Sequence, residues 1–168
     1  MENGTEREGL QRMMETYGTS LLRMCAVYLR DINLAQDAVQ DTFLKAYRSL
    51  PTFRGECSEK TWLIRIAVHT CRDYQRSAWF RRIDRRKCPE DLQEGTIEQE
   101  FPDHTVLNEV SRLPKRSREV ILLRYYQGMK IGETAEALSV SISTVKQRCR
   151  QANAILREKL KGWYYGEE

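Results

Sequence analysis

The chain has 168 residues, 40% hydrophobic and 31% charged, with 28 Lys plus Arg against 24 Asp plus Glu, a formal net charge of +4. At about 100–200 residues per domain this is one compact domain or two small ones, which excludes a large two-domain enzyme; plentiful aliphatics and few Pro and Gly exclude disorder and collagen. Its longest stretch free of Asp, Glu, Lys and Arg is nine residues, Ala137 to Val145, where a membrane span needs about 20 apolar residues.

Met1-Glu2-Asn3-Gly4-Thr5-Glu6 shows no basic segment followed by an apolar one, so the expected location is the cytoplasm, without membrane insertion. Five cysteines, at 25, 57, 71, 88 and 149, form no CxxC pair, the pattern of reduced thiols. His69 with Cys71 makes a poor metal site, because two further ligands at useful spacing are missing. With two histidines, scattered cysteines and no nucleophile-and-base motif, the sequence predicts neither an enzyme nor a cofactor.

In the N-terminal half, residues 34 to 50 predict an amphipathic helix with Ala35, Ala38, Val39, Thr42, Ala46 and Leu50 inward. Asp37, Asp41 and Lys45 fall at i, i+4 spacing on the other side, with Gln40 beside them. This is either a solubilising turn with an Asp41–Lys45 pair or an acidic docking patch for a basic protein surface, and periodicity does not choose. Phe53-Arg54-Gly55-Glu56-Cys57-Ser58-Glu59-Lys60 reads as a loop. Residues 61 to 76 are then helical, with Leu63, Ile66, Ala67, Thr70 and Tyr74 inward. The other side gives Arg65, His69, Arg72 and Arg76, a basic stripe running into Arg81, Arg82, Arg85, Arg86 and Lys87. Such a stripe suits a nucleic-acid strand, and Trp62, Trp79 and Phe80 flank it as stacking platforms for unpaired bases; Trp62 suits the core equally well.

Pro89 to Asp103 holds six acids and no base, together with Pro89, Gly95 and Pro102, which is linker composition. The expectation is therefore all-α, two small helical domains at 1–83 and 104–168 joined by a flexible acidic linker over 84–103.

In the C-terminal half a short helix ends at Leu113-Pro114. A second runs from Lys115 to Gln127, with Val120, Leu123 and Tyr126 inward and Gly128 as its stop. Ile131 to Leu138 follows, with Ile131, Thr134, Ala135 and Leu138 on one face. Leu138-Ser139-Val140-Ser141-Ile142-Ser143 alternates like a strand, but between helical patterns its serines suit a turn, with Ser141 as N-cap of a last helix. Val145, Cys149, Ala152 and Leu156 form that helix's inner stripe. Its outer face offers Ser143, Thr144, Lys146, Gln147, Arg150 and Gln151, with Arg148 beside them, in an interval between Glu136 and Glu158 that holds no acid. Small residues, a tight turn and a helix that is dry inside and cationic outside describe a helix-turn-helix whose last helix reads a DNA groove.

These residues resemble the extracytoplasmic-function group of bacterial sigma factors. Asp37-Ala38-Val39-Gln40-Asp41-Thr42-Phe43-Leu44-Lys45-Ala46-Tyr47-Arg48, Phe53-Arg54-Gly55 and Thr61-Trp62-Leu63-Ile64-Arg65-Ile66-Ala67-Val68 are similar to region 2, and Leu113-Pro114 through Leu160 to region 4. The resemblance implies that Asp37, Gln40 and Asp41 dock on the β′ clamp helices of RNA polymerase. It assigns the loop from Phe53 to Lys60, with Arg54 and Gly55, to capture of a flipped minus-10 base, and His69 to a base contact where family members often carry Asn. Trp62 matches an aromatic of strand opening, whereas Leu63 stands where housekeeping factors have a second one, which implies weaker melting and a more stringent promoter. Lys146, Gln147, Arg150 and Gln151 match the helix that reads the minus-35 element, while another face of region 4 grips the polymerase β flap. A membrane-anchored anti-sigma factor is the implied regulator. The rival reading is a stand-alone helix-turn-helix regulator that binds duplex DNA without polymerase.

Overall fold

The structure, a computed structural model, describes residues 2–85 and 105–161. From residue 86 onward the acidic segment lies outside the described residues. Among those described, all regular structure is helical, and the chain divides into two compact units, Met1–Thr96 and Ile97–Glu168.

The first unit is a three-helix bundle. Its first helix, α1 (Glu2–Leu29), places Met13, Leu21, Met24, Cys25 and Tyr28 in the interior. That spacing of three, four and eight keeps one stripe dry; burying each large side chain contributes about 1.5–3 kcal/mol. The helix stops where Arg30 turns left-handed, φ 57°, and donates its N–H to the Ala26 carbonyl at 2.8 Å, an αL cap. Asp31 follows at once as N-cap of α2 (Ile32–Ser49), accepting from the N–H groups of Asn33 and Leu34 at 2.9 and 3.1 Å. With so short a link α2 folds back on α1.

Ala35, Ala38, Thr42 and Ala46 of α2 are buried as the 3.6 period predicts, but Val39 and Leu50 are only half-buried and Phe43 is in the core. Residue 43 lies next to 42 and 46 on the helical wheel, and a phenyl ring reaches where Val39 does not. A 3-10 turn at Leu50–Thr52 leads to α3 (Glu59–Arg85). Ser58 caps α3, its hydroxyl accepting from the Thr61 N–H at 3.1 Å, so the helix starts before Thr61 and runs beyond Arg76. Leu63, Ala67 and Thr70 are buried as expected; Ile64, Val68 and Cys71 join them, while Ile66 and Tyr74 are half-buried. A helix packed against both α1 and α2 needs two dry stripes, which one-face periodicity does not reveal.

The second unit opens with α4 (Thr105–Arg112) and α5 (Lys115–Ile121), which continues into one π turn at Leu122–Tyr126. Arg118 is buried and donates Nη1 to the Ser111 carbonyl at 2.6 Å, satisfying a carbonyl at the end of α4 that has no helical partner. Val120 and Leu123 are fully buried, whereas Tyr126 is half-buried. Gly128 then adopts φ 66°, a conformation open to glycine at low cost.

The last helices are α6 (Ile131–Leu138) and α7 (Ile142–Lys159). The Lys130 N–H donates to the Glu133 carboxylate at 2.8 Å and starts α6. Ser139 is left-handed, φ 55°, and Ser141 caps α7 by accepting from the Thr144 N–H at 3.2 Å. The strand-like segment from Leu138 to Ser143 is thus a turn, with Thr134, Ala135, Leu138, Val145 and Ala152 buried around it. Cys149 and Leu156, expected inward, are half-buried.

Candidate docking and nucleic-acid surfaces

On α2, Asp37 and Gln40 are exposed and Asp41 is half-buried. The Tyr74 hydroxyl of α3 donates to Asp41 Oδ2 at 2.6 Å. Lys45 turns to the same helix, donating to Thr70 Oγ1 at 3.1 Å and standing 3.6 Å from Asp73 Oδ2. The solubilising Asp41–Lys45 pair is therefore replaced by three contacts across the α2–α3 seam, one at Asp41 and two at Lys45. Leu44, one turn after Gln40, is 52% exposed. A leucine at a polar phase of an amphipathic helix is the readable sign of an apolar spot on this face; Tyr74, expected inward, is half-buried with its hydroxyl on Asp41.

The loop before α3 turns at Gly55, φ 72°. Phe53 stacks on Trp62, ring centroids 4.7 Å apart with planes inclined 28°, so Trp62 is neither core nor a bare platform but half-buried against the loop. Arg54 and Gly55 are exposed. The loop's far end is held where Arg12 of α1 makes a bidentate pair with Glu59 at 2.9 and 2.7 Å, and the carboxylate raises the guanidinium's pKa.

Along α3, His69 and Arg76 are exposed and Arg65 and Arg72 half-buried. The His69 pKa is lowered, first by burial, then by the positive charges of Arg72 and Arg65; at neutral pH it is an uncharged donor and acceptor. Asp73 interrupts the stripe and pairs with Arg76, so this face is less uniformly cationic than the arginine spacing implies. The α3 backbone carries residues 79 to 85, while Arg86 and Lys87 lie outside the described residues.

On α7, Ser143, Lys146, Gln147, Arg150 and Gln151 are exposed and Thr144 and Arg148 half-buried. The hydroxyls of Ser143 and Thr144 lie 3.0 and 2.8 Å from that of Ser141, so they serve the cap as well as the surface. Gln151 lines a shallow apolar groove with Pro114, Lys115, Arg116, Ser117, Ala154 and Ile155. The exposed set thus divides into Lys146, Gln147 and Arg150 on one side and Gln151 beside α5. Cys149 is half-buried and its thiol pKa is raised, chiefly by burial.

Residues 13–81 match the profile of the family described as Sigma-70 region 2, and residues 104–154 that of Sigma-70, region 4. The chain is 32% identical to the ECF RNA polymerase sigma factor SigX of Bacillus subtilis, over 91% of this chain and 84% of that protein. It is 30% identical to the ECF RNA polymerase sigma factor SigM of Mycobacterium tuberculosis, over 92% and 79%. Among solved structures, CnrH in complex with the cytosolic domain of CnrY is 27% identical with a TM-score of 0.67, covering 92% of this chain and 89% of that one. The sigma factor RpoE of Bartonella quintana, in complex with the anti-sigma factor NepR, shares the fold at 23% identity and a TM-score of 0.72, over 90% and 98%.

Proposed function

The chain belongs to the ECF family of RNA polymerase sigma factors, and from that premise we propose a role for each of the surfaces described above. As an alternative sigma factor it binds core polymerase and directs promoter-specific initiation. It works in the cytoplasm, and the chemistry of RNA synthesis stays with the polymerase.

Asp37, Gln40 and Asp41, with Leu44 as their apolar neighbour, form the docking face for the β′ clamp helices. The loop at Phe53, Arg54 and Gly55, with Trp62, Arg65, His69, Arg72 and Arg76, engages the minus-10 element. In α7, Lys146, Gln147 and Arg150 read the minus-35 element, with Ser143, Thr144, Arg148 and Gln151 at its margins; another face of the second unit meets the β flap. Arg or Lys pairs with guanine and Gln with adenine in the major groove, whereas phosphate contacts are blind to sequence. Inhibition by an anti-sigma factor is proposed from the family resemblance; CnrH is solved in complex with the cytosolic domain of CnrY.

The observation that carries this reading is the acidic turn on α2, with Asp37 and Gln40 exposed and Asp41 half-buried, beside exposed basic residues on α3 and α7: a protein-docking face accompanies the two DNA-facing ones. A gel shift of a promoter fragment with and without core polymerase tests it. A shift that requires core is expected; an equal shift without core returns the chain to the stand-alone regulators.

A further inference from the structure

We propose that Cys25 and Cys71 are an oxidisable pair that closes into a disulfide between α1 and α3. Their sulfurs lie 3.5 Å apart, and both side chains are fully buried. A disulfide needs about 2.05 Å, so each sulfur has to move roughly 0.7 Å, a shift within reach of side-chain rotation. The two helices are tied on either side of the pair. One turn beyond it, Gln75 Nε2 donates to the Tyr28 carbonyl at 3.4 Å. At the other end Arg12 grips Glu59 with both guanidinium nitrogens, at 2.9 and 2.7 Å. These ties keep the sulfurs opposed.

The oxidant is a peroxide. One sulfur attacks it, the O–O bond breaks, and a sulfenic acid and water form. The second sulfur then attacks the sulfenic sulfur, the S–S bond forms, and hydroxide leaves to take up the thiol proton as a second water. Two electrons pass from the thiols to the peroxide. Both sulfurs are shut away from solvent, so the reaction is slow and waits on local opening of the bundle.

Closure encloses Asp37, Gln40, Asp41 and the Phe53–Gly55 loop in one covalent ring. A cross-link spanning 46 positions restricts the unfolded chain strongly, so the oxidised first unit resists unfolding. The pair brings α1 and α3 a function that does not depend on polymerase or DNA.

The test uses the full native chain. Reduced protein is incubated with hydrogen peroxide, unfolded in an alkylating agent and digested without reductant. A peptide linking Cys25 to Cys71 is expected, lost on treatment with dithiothreitol, together with a higher urea midpoint for the oxidised protein. Recovery of Cys25 and Cys71 as alkylated thiols while Cys57 or Cys149 is oxidised overturns the proposal, as does a linked form whose midpoint does not rise. No substitution is involved, so a folding defect cannot imitate either outcome.

Discussion

The hydroxyl of Tyr74 donates to the carboxylate of Asp41 at 2.6 Å, so α3, the helix proposed to face DNA, orients an acid on α2 proposed to face polymerase. A carboxylate at a protein interface is more useful fixed than free, because ordering it beforehand lowers the entropy lost on binding. Tyr74→Phe keeps the ring and removes the donor. A hydrogen bond nets about 0.5–1.5 kcal/mol, so affinity for core polymerase is expected to fall about two- to tenfold with an unchanged circular dichroism spectrum. A competition binding assay that finds equal affinity contradicts this role.

Charge reversal asks more of the same face. Asp37→Lys with Asp41→Lys is expected to abolish pull-down of core polymerase while the helical signal stays intact, since Asp37 is exposed and Asp41 half-buried. Normal core binding by the double variant removes the docking assignment.

On α7 the expected effects separate by chemistry. Gln147→Ala removes a base-reading amide, worth about 1–3 kcal/mol of discrimination at one base pair, and relaxes promoter preference at that position alone. Lys146→Ala removes a charge. Its loss lowers affinity on every sequence and reduces the salt dependence, in addition to relaxing preference at the base pair that Lys146 reads. Run-off transcription from promoters altered one base pair at a time, at two salt concentrations, distinguishes the two patterns.

The turn before α7 rests on Ser141, whose hydroxyl accepts from the Thr144 N–H at 3.2 Å. Ser141→Ala is expected to cost about 1 kcal/mol, the usual penalty for losing an N-cap, and to lower the urea midpoint of the second unit. An unchanged midpoint contradicts the capping role.

His69 gives a pH dependence of known sign. Its pKa is lowered in the folded chain, so near and below the unfolded value of about 6.5 the unfolded state binds more protons. Its contribution is fully present above that pH and is lost as pH falls through the folded value. Relative to His69→Asn, the natural protein is expected to lose stability on acidification from pH 7 toward 5, modestly because the ring is exposed. Parallel stability curves for the two proteins contradict this.

How far these surfaces could be read from sequence depended on whether their partners were local. The α6–turn–α7 unit was legible because small residues, a serine cap and a purely cationic interval all act within a few positions. The exposure of Asp37, Gln40, Lys146, Gln147 and Arg150 followed from helical period alone. What one helix does to another was not legible. Lys45 sits one turn from Asp41, yet Thr70 and Asp73 take it. Arg118, in a local run of cations with Arg112, Lys115 and Arg116, is buried on the Ser111 carbonyl. Phe53 and Trp62 stack across a loop whose turn depends on the backbone of Gly55. The long α1, with two glycines in its first third, announced itself least, because its buried Met, Cys and Tyr side chains make a weak apolar stripe.

Run-off transcription with purified core polymerase on genomic fragments tests the central claim most directly. Discrete start sites that appear only when this chain is added, with upstream DNA aligning into two elements at fixed spacing, are the predicted result. Transcripts that are the same with and without the chain contradict it.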